Sequence, residues 1–493
     1  MLEVIHKIVW GPWLMVFFLA AGVLYTVRSR GFQIRGFWVW WSATVGSFFQ
    51  GSKGGTAAKP GSELKCGEAA AKPGSTAGKS SEGESGNTAR QDGAAGYHPA
   101  ASRRDQLKTA CTALAATVGT GNIVGVATAI TAGGPGALFW MWVSAAIGMM
   151  TAYGEVYLGI ASRYRGKNGS FVCGPFVYLE KLAGKQGLAL LYAGLCVCCS
   201  LGMGSMVQSN SLAETVCYSF HIPKLCAAVG LGLLVAAIIR GGRQQIGQAA
   251  ARLVPFSAGI YMVFSVIVLF LCRHSLPAVF GDICREAFGL RAAAGGAAGY
   301  SVRLAVRYGL ARGVFSNEAG LGSMAVLHGD SPGQDPKLQG MWAMFEVFFD
   351  TIVVCTLTGL VILCGLREQG NNPGISGAAL TSWCFSNYLG EIGEFVIALS
   401  LVLFAFATII AWYYLGGQAL AYLMERSREK RSAGSCRLPY QVLYQLLYLT
   451  AVFWGCMAPM GNVWLLSDIL NGLMALPNLT ALFLLADQVR FPD

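Results

Sequence analysis

Ala116-Thr117-Val118-Gly119-Thr120-Gly121-Asn122-Ile123 interrupts an apolar segment of membrane length, and Phe315-Ser316-Asn317-Glu318-Ala319-Gly320-Leu321-Gly322-Ser323 interrupts a second. Gly in a helix interior costs about 1 kcal/mol relative to Ala, and Asn about half that or more. Gly119, Thr120, Gly121 and Asn122 therefore weaken the helix locally. At bilayer depth each unpaired backbone N–H or C=O costs several kcal/mol, so a break must be buried in protein or line a cavity. Opened, the first break offers N–H groups at the start of the following half-helix, suited to an anion. It also offers carbonyls at the end of the preceding half, suited to a cation. An α-amino acid carries one charge of each sign. Taken alone, the first break reads better as a close helix contact through Gly121 and Gly125. With the second break, the pair reads as the solute site of a carrier.

The rest of the chain fits a polytopic, all-α membrane protein. Of its 493 residues 54% are hydrophobic and 12% charged, against about 25% charged in a soluble domain. Apolar periodicity predicts eleven spans, near 8–27, 107–130, 136–162, 187–217, 225–240, 250–272, 300–326, 339–366, 392–424, 440–458 and 463–486. The first run is longer than the apolar core of a signal peptide, about 7–15 residues, and reads as a permanent helix. The net charge of +11 resides mainly in short loops. That is the cytoplasmic-retention bias of membrane proteins rather than a nucleic-acid footprint. Clusters at Arg28–Arg35, Arg163–Lys167, Arg240–Arg252 and Arg426–Arg437 all fall on the cytoplasmic side if the N-terminus is outside. The linker and C-terminus are then cytoplasmic, in a cell's inner (plasma) membrane.

The implied organisation is an N-terminal helix and segment (1–49), a low-complexity cytoplasmic linker (50–106), and two halves (107–272 and 273–493). With the first span set aside, the interrupted spans are the first and sixth of ten, which is the arrangement of a five-plus-five inverted repeat. The linker repeats Ala57-Ala58-Lys59-Pro60-Gly61-Ser62 at 70–75 and is too poor in large apolar residues to fold alone. Its Gly74-Ser75-Thr76-Ala77-Gly78-Lys79-Ser80 falls one residue short of a phosphate-binding loop and lacks the flanking strand and helix. Cys196, Cys198 and Cys199 sit in an apolar run and read as helix filler. No H-E-x-x-H or G-x-S-x-G points to an intramembrane enzyme. A channel needs a continuous polar path or a ring of filter groups rather than two localised breaks.

Asn317 and Glu318 adjoin at membrane depth, where ionisable residues are functional or paired. Arg307 and Arg312 are candidate partners for Glu318, so an ion pair and a transport role both stand. Glu155, Glu346 and Asp350 are further acidic residues inside spans, in coupling or scaffold roles. Gln208 follows Gly202-Met203-Gly204-Ser205-Met206-Val207, and its amide can serve a ligand or a neighbouring helix. Thr408 and Trp412, four apart, share a helical face. There a hydroxyl can ligate Na⁺ and an indole can wall a pocket, or both can be ordinary core.

The runs Ala113–Ala132, Gly133–Val143, Arg312–Ser323 and Asn471–Pro477 resemble the alanine or glycine:cation symporter family. The resemblance covers about Lys108 to the C-terminus, plus the first helix. It implies a leucine-transporter-like core with two discontinuous helices and uptake of small neutral amino acids (alanine, glycine), coupled to Na⁺ and in some members H⁺. The expected partners are this solute and the lipid bilayer, not nucleic acid, and the protein is expected to be monomeric. By the same resemblance Thr120, Gly121 and Asn122 contact the carboxylate end of the solute, and Phe315 and Asn317 receive the amino end. Gln208 and Trp412 line a small side-chain pocket. A Na⁺ site falls on carbonyls near Ala115 and Val118 and on Ala405 and Thr408. The chain departs from the family in its long linker and in Cys173, where Gly is usual; neither is expected to touch the site.

Overall fold

A computed structural model describes residues 2–49, 103–166, 170–289, 297–331, 335–370, 374–429 and 440–492. The low-complexity stretch expected at 50–106 lies outside the described residues up to 102. Among the described residues the protein is helical apart from one two-stranded antiparallel hairpin, in which Tyr164 pairs with Val172 and Arg165 with Phe171. Seven helices are long and apolar enough to cross a membrane, or eight if a bent pair counts as one span. Three further segments expected to span are helical but shorter or more polar: Lys224–Arg240, Ala297–Asn317 and Tyr440–Met457. Two short helices, Leu276–Ala287 and Gly377–Leu389, were not anticipated. The first caps helix Gly136–Ser162, where Trp140 Nε1 donates to the Ala287 carbonyl at 3.2 Å.

Both anticipated interruptions are present. Helix Arg103–Thr117 ends, a single 3₁₀ turn covers Thr120–Asn122, and helix Val124–Gly133 resumes after a bend of 57°. Helix Ala297–Asn317 stops before Glu318 and a short helix, Ser323–Leu327, follows. Glu318 (φ 56°), Gly320 (φ 94°) and Gly322 (φ 79°) all adopt left-handed backbone between them. Two glycines can do so freely, whereas Glu318 is strained by its Cβ.

Two more spans contain a π-helical turn, which the sequence reading did not foresee: Gly202–Val207 within 186–220 and Phe348–Cys355 within 336–369. A π turn inserts one extra residue and shifts the register of the side chains that follow, and such turns occur often at functional sites. Here they aim Gln208 and Asp350 at the first break.

The second broken span reaches the core by close packing. A Cβ added at Gly309 would lie 2.5 Å from the Ala137 carbonyl oxygen and 2.6 Å from Trp140 Cβ, and one at Gly313 would lie 2.9 Å from Ser144 Oγ. Spaced four apart, these glycines let the helix backbone rest against helix Gly136–Ser162. The first and last spans run side by side in the same direction. Trp10 Nε1 donates to the Asp468 carbonyl at 2.7 Å, Tyr25 Oη to the Leu482 carbonyl at 2.9 Å, and Arg28 pairs with Asp487 at 2.6 Å.

Overpacking a tight contact costs about 1–3 kcal/mol. Gly309→Ala is therefore expected to lower the melting temperature in detergent. Gly194→Ala, where an added Cβ meets nothing within 4 Å, is expected to leave it unchanged.

Candidate functional site

The two breaks touch. A Cβ on Gly121 would lie 3.2 Å from Ser316 Cα and 3.4 Å from Phe315 Cδ1, so glycine lets the two segments approach closely. Thr120, Asn122, Ser316, Asn317 and Glu318 are all fully buried.

At the first break the chain satisfies its own backbone. Asn122 Oδ1 accepts from the Gly119 N–H at 3.0 Å, closing the loop of the break. Gln208 Oε1 accepts from both the N–H (3.2 Å) and the hydroxyl (3.0 Å) of Thr120. The Gln208 amide nitrogen donates back to the Met203 carbonyl at 3.3 Å, within its own π turn. Two donors thus converge on one neutral oxygen at the start of the turn.

Asp350 ties this break to the second one. Its Oδ1 accepts from Asn122 Nδ2 at 2.6 Å, and its Oδ2 accepts from the hydroxyls of Ser316 (2.7 Å) and Thr351 (2.9 Å). Asn317 Nδ2 in turn donates to Thr351 Oγ1 at 3.2 Å, and Asn317 Oδ1 accepts from the Ala319 N–H at 3.1 Å. A buried carboxylate is tolerated when several donors converge on it.

The remaining backbone of the second break is held by other helices. The Gly322 N–H donates to Glu155 Oε1 at 3.1 Å, the Gly320 carbonyl accepts from Asn478 at 2.9 Å, and the Leu321 carbonyl accepts from Tyr192 at 2.8 Å. Asn478 also donates to Glu155 at 2.5 Å. Glu155 thus acts as scaffold for the break.

The expected partner of Glu318 is not an arginine. Arg312 forms a two-pronged pair with Asp468, at 3.1 and 2.7 Å, and Glu318 instead accepts from Ser323 Oγ (2.5 Å) and Trp412 Nε1 (3.0 Å). Trp412 therefore fixes the strained residue of the break as well as walling the space beside Gly204, whose added Cβ would lie 2.3 Å from Trp412 Cβ. Glu346 is paired elsewhere, with His328 at 3.0 Å.

Of the residues expected around Na⁺, Thr408 and Ala115 are joined directly. Thr408 Oγ1 donates to the Ala115 carbonyl at 2.9 Å and lies 3.0 Å from the Phe404 carbonyl. Val118 is buried beside Gly119, where an added Cβ would lie 2.6 Å from Thr408 Oγ1. Ala405 is buried one turn earlier on the Thr408 helix, in a satellite apolar cluster with Ile409 and Tyr448. Cys173 lies nearer the second break than expected, with its thiol 2.9 Å from the Ala325 carbonyl just beyond it.

Aromatic and ionic contacts flank the paired breaks at both ends. On one side the Phe315 and Trp464 rings stack at 5.0 Å, with the Arg312 guanidinium 5.4 and 5.1 Å from them. His6 reaches Asp468 there at 3.4 Å. On the other side Asp330 pairs with Arg243 and accepts from Tyr414 Oη at 2.5 Å. These residues line a recess of about 420 Å³ together with Lys108 and Thr112.

Residues 98–491 match the sodium:alanine symporter family. The chain belongs to that family. It is 42% identical over 374 residues to an uncharacterized transporter of Haemophilus influenzae, covering 76% of this chain and 79% of the relative. It is 39% identical over 383 residues to the sodium/alanine symporter AgcS of Methanococcus maripaludis, covering 77% and 81%. Among solved structures it is similar to MhsT in complex with L-phenylalanine, at 14% identity and a TM-score of 0.48, covering 77% of this chain and 98% of that one. Family membership makes the chain a membrane transporter and gives the paired breaks their context.

The sequence reading left Asp350 without a role, although an acidic residue inside an apolar span was a signal of function or pairing. A double-mutant cycle on Asn122→Ala and Asp350→Asn, read by thermal unfolding, is expected to give a coupling of about 1.5–3 kcal/mol, as for a hydrogen bond to a charged group. Additive losses would show that the two breaks are held together in another way.

Proposed function

We propose that the chain is a Na⁺-coupled symporter that takes up small neutral amino acids, alanine and glycine, by alternating access. The observation that carries this reading is the meeting of two broken helices, with a pair of Thr120 donors and a Thr408–Ala115 oxygen pair a few residues apart. The family match supports the same reading.

In this mechanism the solute carboxylate takes the Thr120 N–H and hydroxyl that Gln208 Oε1 now accepts from. A charge-assisted bond is roughly twice as strong as a neutral one, so the exchange is favourable. The ammonium group takes the carbonyls that end helix Ala297–Asn317 and is drawn by the Asp350 carboxylate, with Phe315 closing over it. Gln208 and Trp412 border the side chain. Na⁺ takes oxygens of Ala115, Val118, Ala405 and Thr408, turning the Thr408 hydroxyl from donor to ligand. By fixing the end of helix Arg103–Thr117 the ion orders the donors at Thr120, so ion and solute tighten each other reciprocally. H⁺ is the alternative coupling ion.

Alternating access is the opening, in turn, of the Arg312–Asp468 plug with its Phe315–Trp464 stack and of the Arg243–Asp330–Tyr414 cluster. The proposed topology has eleven spans, an external N-terminus and a cytoplasmic linker and C-terminus. It has inverted halves at 107–272 and 273–493 in a leucine-transporter-like core. Two features support it. First and last spans that run in the same direction require an odd number of crossings. His6 shares one end with Arg312 and Asp468, whereas Arg28, Arg163 and Arg426 pair at the other end with Asp487, the carbonyls of Gly329 and Ser331, and Glu180.

In proteoliposomes, radiolabelled alanine is expected to accumulate under an inward Na⁺ gradient and not under a matched K⁺ gradient. Equal uptake in both, or none, overturns the proposal. Thr408→Val, which removes one ion ligand, is expected to raise the Na⁺ concentration for half-maximal uptake at least about tenfold, the effect of about 1.4 kcal/mol. An unchanged Na⁺ response would move the ion elsewhere.

A further inference from the structure

The last helix, Met460–Leu484, bears a polar face whose hydrogen-bonding capacity is unused. Trp464, Ser467 and Asn471 follow at i, i+3 and i+7 and so share one side of it. Trp464 Nε1, Ser467 Oγ, Asn471 Nδ2 and Asn471 Oδ1 are buried with no hydrogen-bond partner among the described residues. Asn471 is 1% exposed and Ser467 fully buried. Leaving a buried polar group unpaired costs about 1–3 kcal/mol. An amide with both ends unpaired, beside a hydroxyl in the same condition, has bonding capacity left for a partner from outside the chain, a solute or a water.

Neighbours on the same face locate this site. One end is set by Trp464, whose ring stacks on Phe315 at 5.0 Å. The other is set by Asn478, which donates to the Gly320 carbonyl at 2.9 Å. Asn471 stands seven residues from each, two helical turns either way, and so lies opposite the stretch between Phe315 and Gly320. That stretch is the second break. The flank of the face rests on the π turn, since a Cβ on Gly202 would lie 3.3 Å from Ser467 Oγ. The same turn meets Trp412 at Gly204 and leads into Gln208. Asn471 and Ser467 thus look into the wedge between the second break and the π turn.

We infer that Ser467 and Asn471 determine the specificity of the solute pocket by reading a small neutral side chain that can hydrogen-bond, a hydroxyl, on the amino acid carried. The inference rests on the transport reading above. The group offers both donors and acceptors and no net charge, and the one acidic residue beside it, Asp468, is already matched by Arg312. A carboxylate or ammonium side chain would meet no uncompensated countercharge there. A hydroxyl satisfies Asn471 and Ser467 together, whereas a methyl group leaves both unpaired. Alanine is still carried, and serine gains the added bond, about 0.5–1.5 kcal/mol for a neutral pair.

The test compares radiolabelled serine with alanine in proteoliposomes under one Na⁺ gradient. Wild-type protein is expected to carry serine. In Asn471→Leu the serine-to-alanine ratio of kcat/KM is expected to fall at least about tenfold, the loss of one bond to a neutral group. An unchanged ratio overturns the inference, because a purely structural role for Asn471 would lower both solutes alike. Should Asn471→Leu not reach the membrane, Ser467→Ala, which removes a single hydroxyl, decides by the same ratio: a fall of at least about threefold supports the inference and no change overturns it. Wild-type protein that carries alanine and not serine overturns this inference alone. Wild-type protein that carries neither overturns the transport reading as well.

Discussion

Every polar backbone group freed by a break in the middle of a bilayer must find a partner inside the protein, and the rest of this structure is arranged around that requirement. Two spans are opened, and partners come from helices far away in the chain. Gln208 and Asp350 serve the first break, and Glu155, Asn478 and Tyr192 serve the second. These partners hold the breaks in register, so the breaks can stay open without becoming disordered. A polar network of this kind is stable only when each member is satisfied. Most of its members are, although Glu155 keeps one oxygen without a partner, as do Trp464, Ser467 and Asn471 on helix Met460–Leu484.

Within that framework a division of labour is visible among the buried acids. Glu155 and Glu318 shape the second break, Glu155 by taking a backbone N–H and Glu318 by bonding Ser323 and Trp412 from a left-handed position. Asp350 bridges both breaks through Asn122 and Ser316. Glu346 pairs with His328, and neither residue bonds to a break. Charge near the breaks is thus fixed by geometry, and the pairs Arg312–Asp468 and Arg243–Asp330 lie beyond them.

Much of this could be read from the amino acids before any coordinates. Gly119, Gly121, Gly320 and Gly322 mark the interruptions because paired glycines beside polar residues lower helix propensity within an apolar run. Family resemblance singled out Ala115, Thr120, Gln208 and Thr408; the Thr408–Ala115 bond joins two of them, while the bond of Gln208 to Thr120 was not foreseen. Partner choice was less legible. Arg312 is six residues from Glu318 and was a natural candidate, but that spacing puts the two on different sides of the helix, and Asp468 on the last span is the closer acid. The role of Asp350 was hidden because a π turn, which has no simple sequence signature, aims it at Asn122, a residue 228 positions away. The short helices Leu276–Ala287 and Gly377–Leu389 fall in stretches too short to register as spans.

The clasp between the first and last helices bears on how the protein is made. Trp10, Tyr25 and Arg28 find their partners 458, 457 and 459 residues later. The first helix is not left bare in the meantime, because a Cβ on Gly154 would lie 2.4 Å from the Tyr25 ring and one on Gly22 would lie 2.0 Å from Ile147, so helix Gly136–Ser162 can shelter it as soon as it is made. The clasp with residues 468–487 is added hundreds of residues later, and a chain cut before them keeps the early contact and loses the late one.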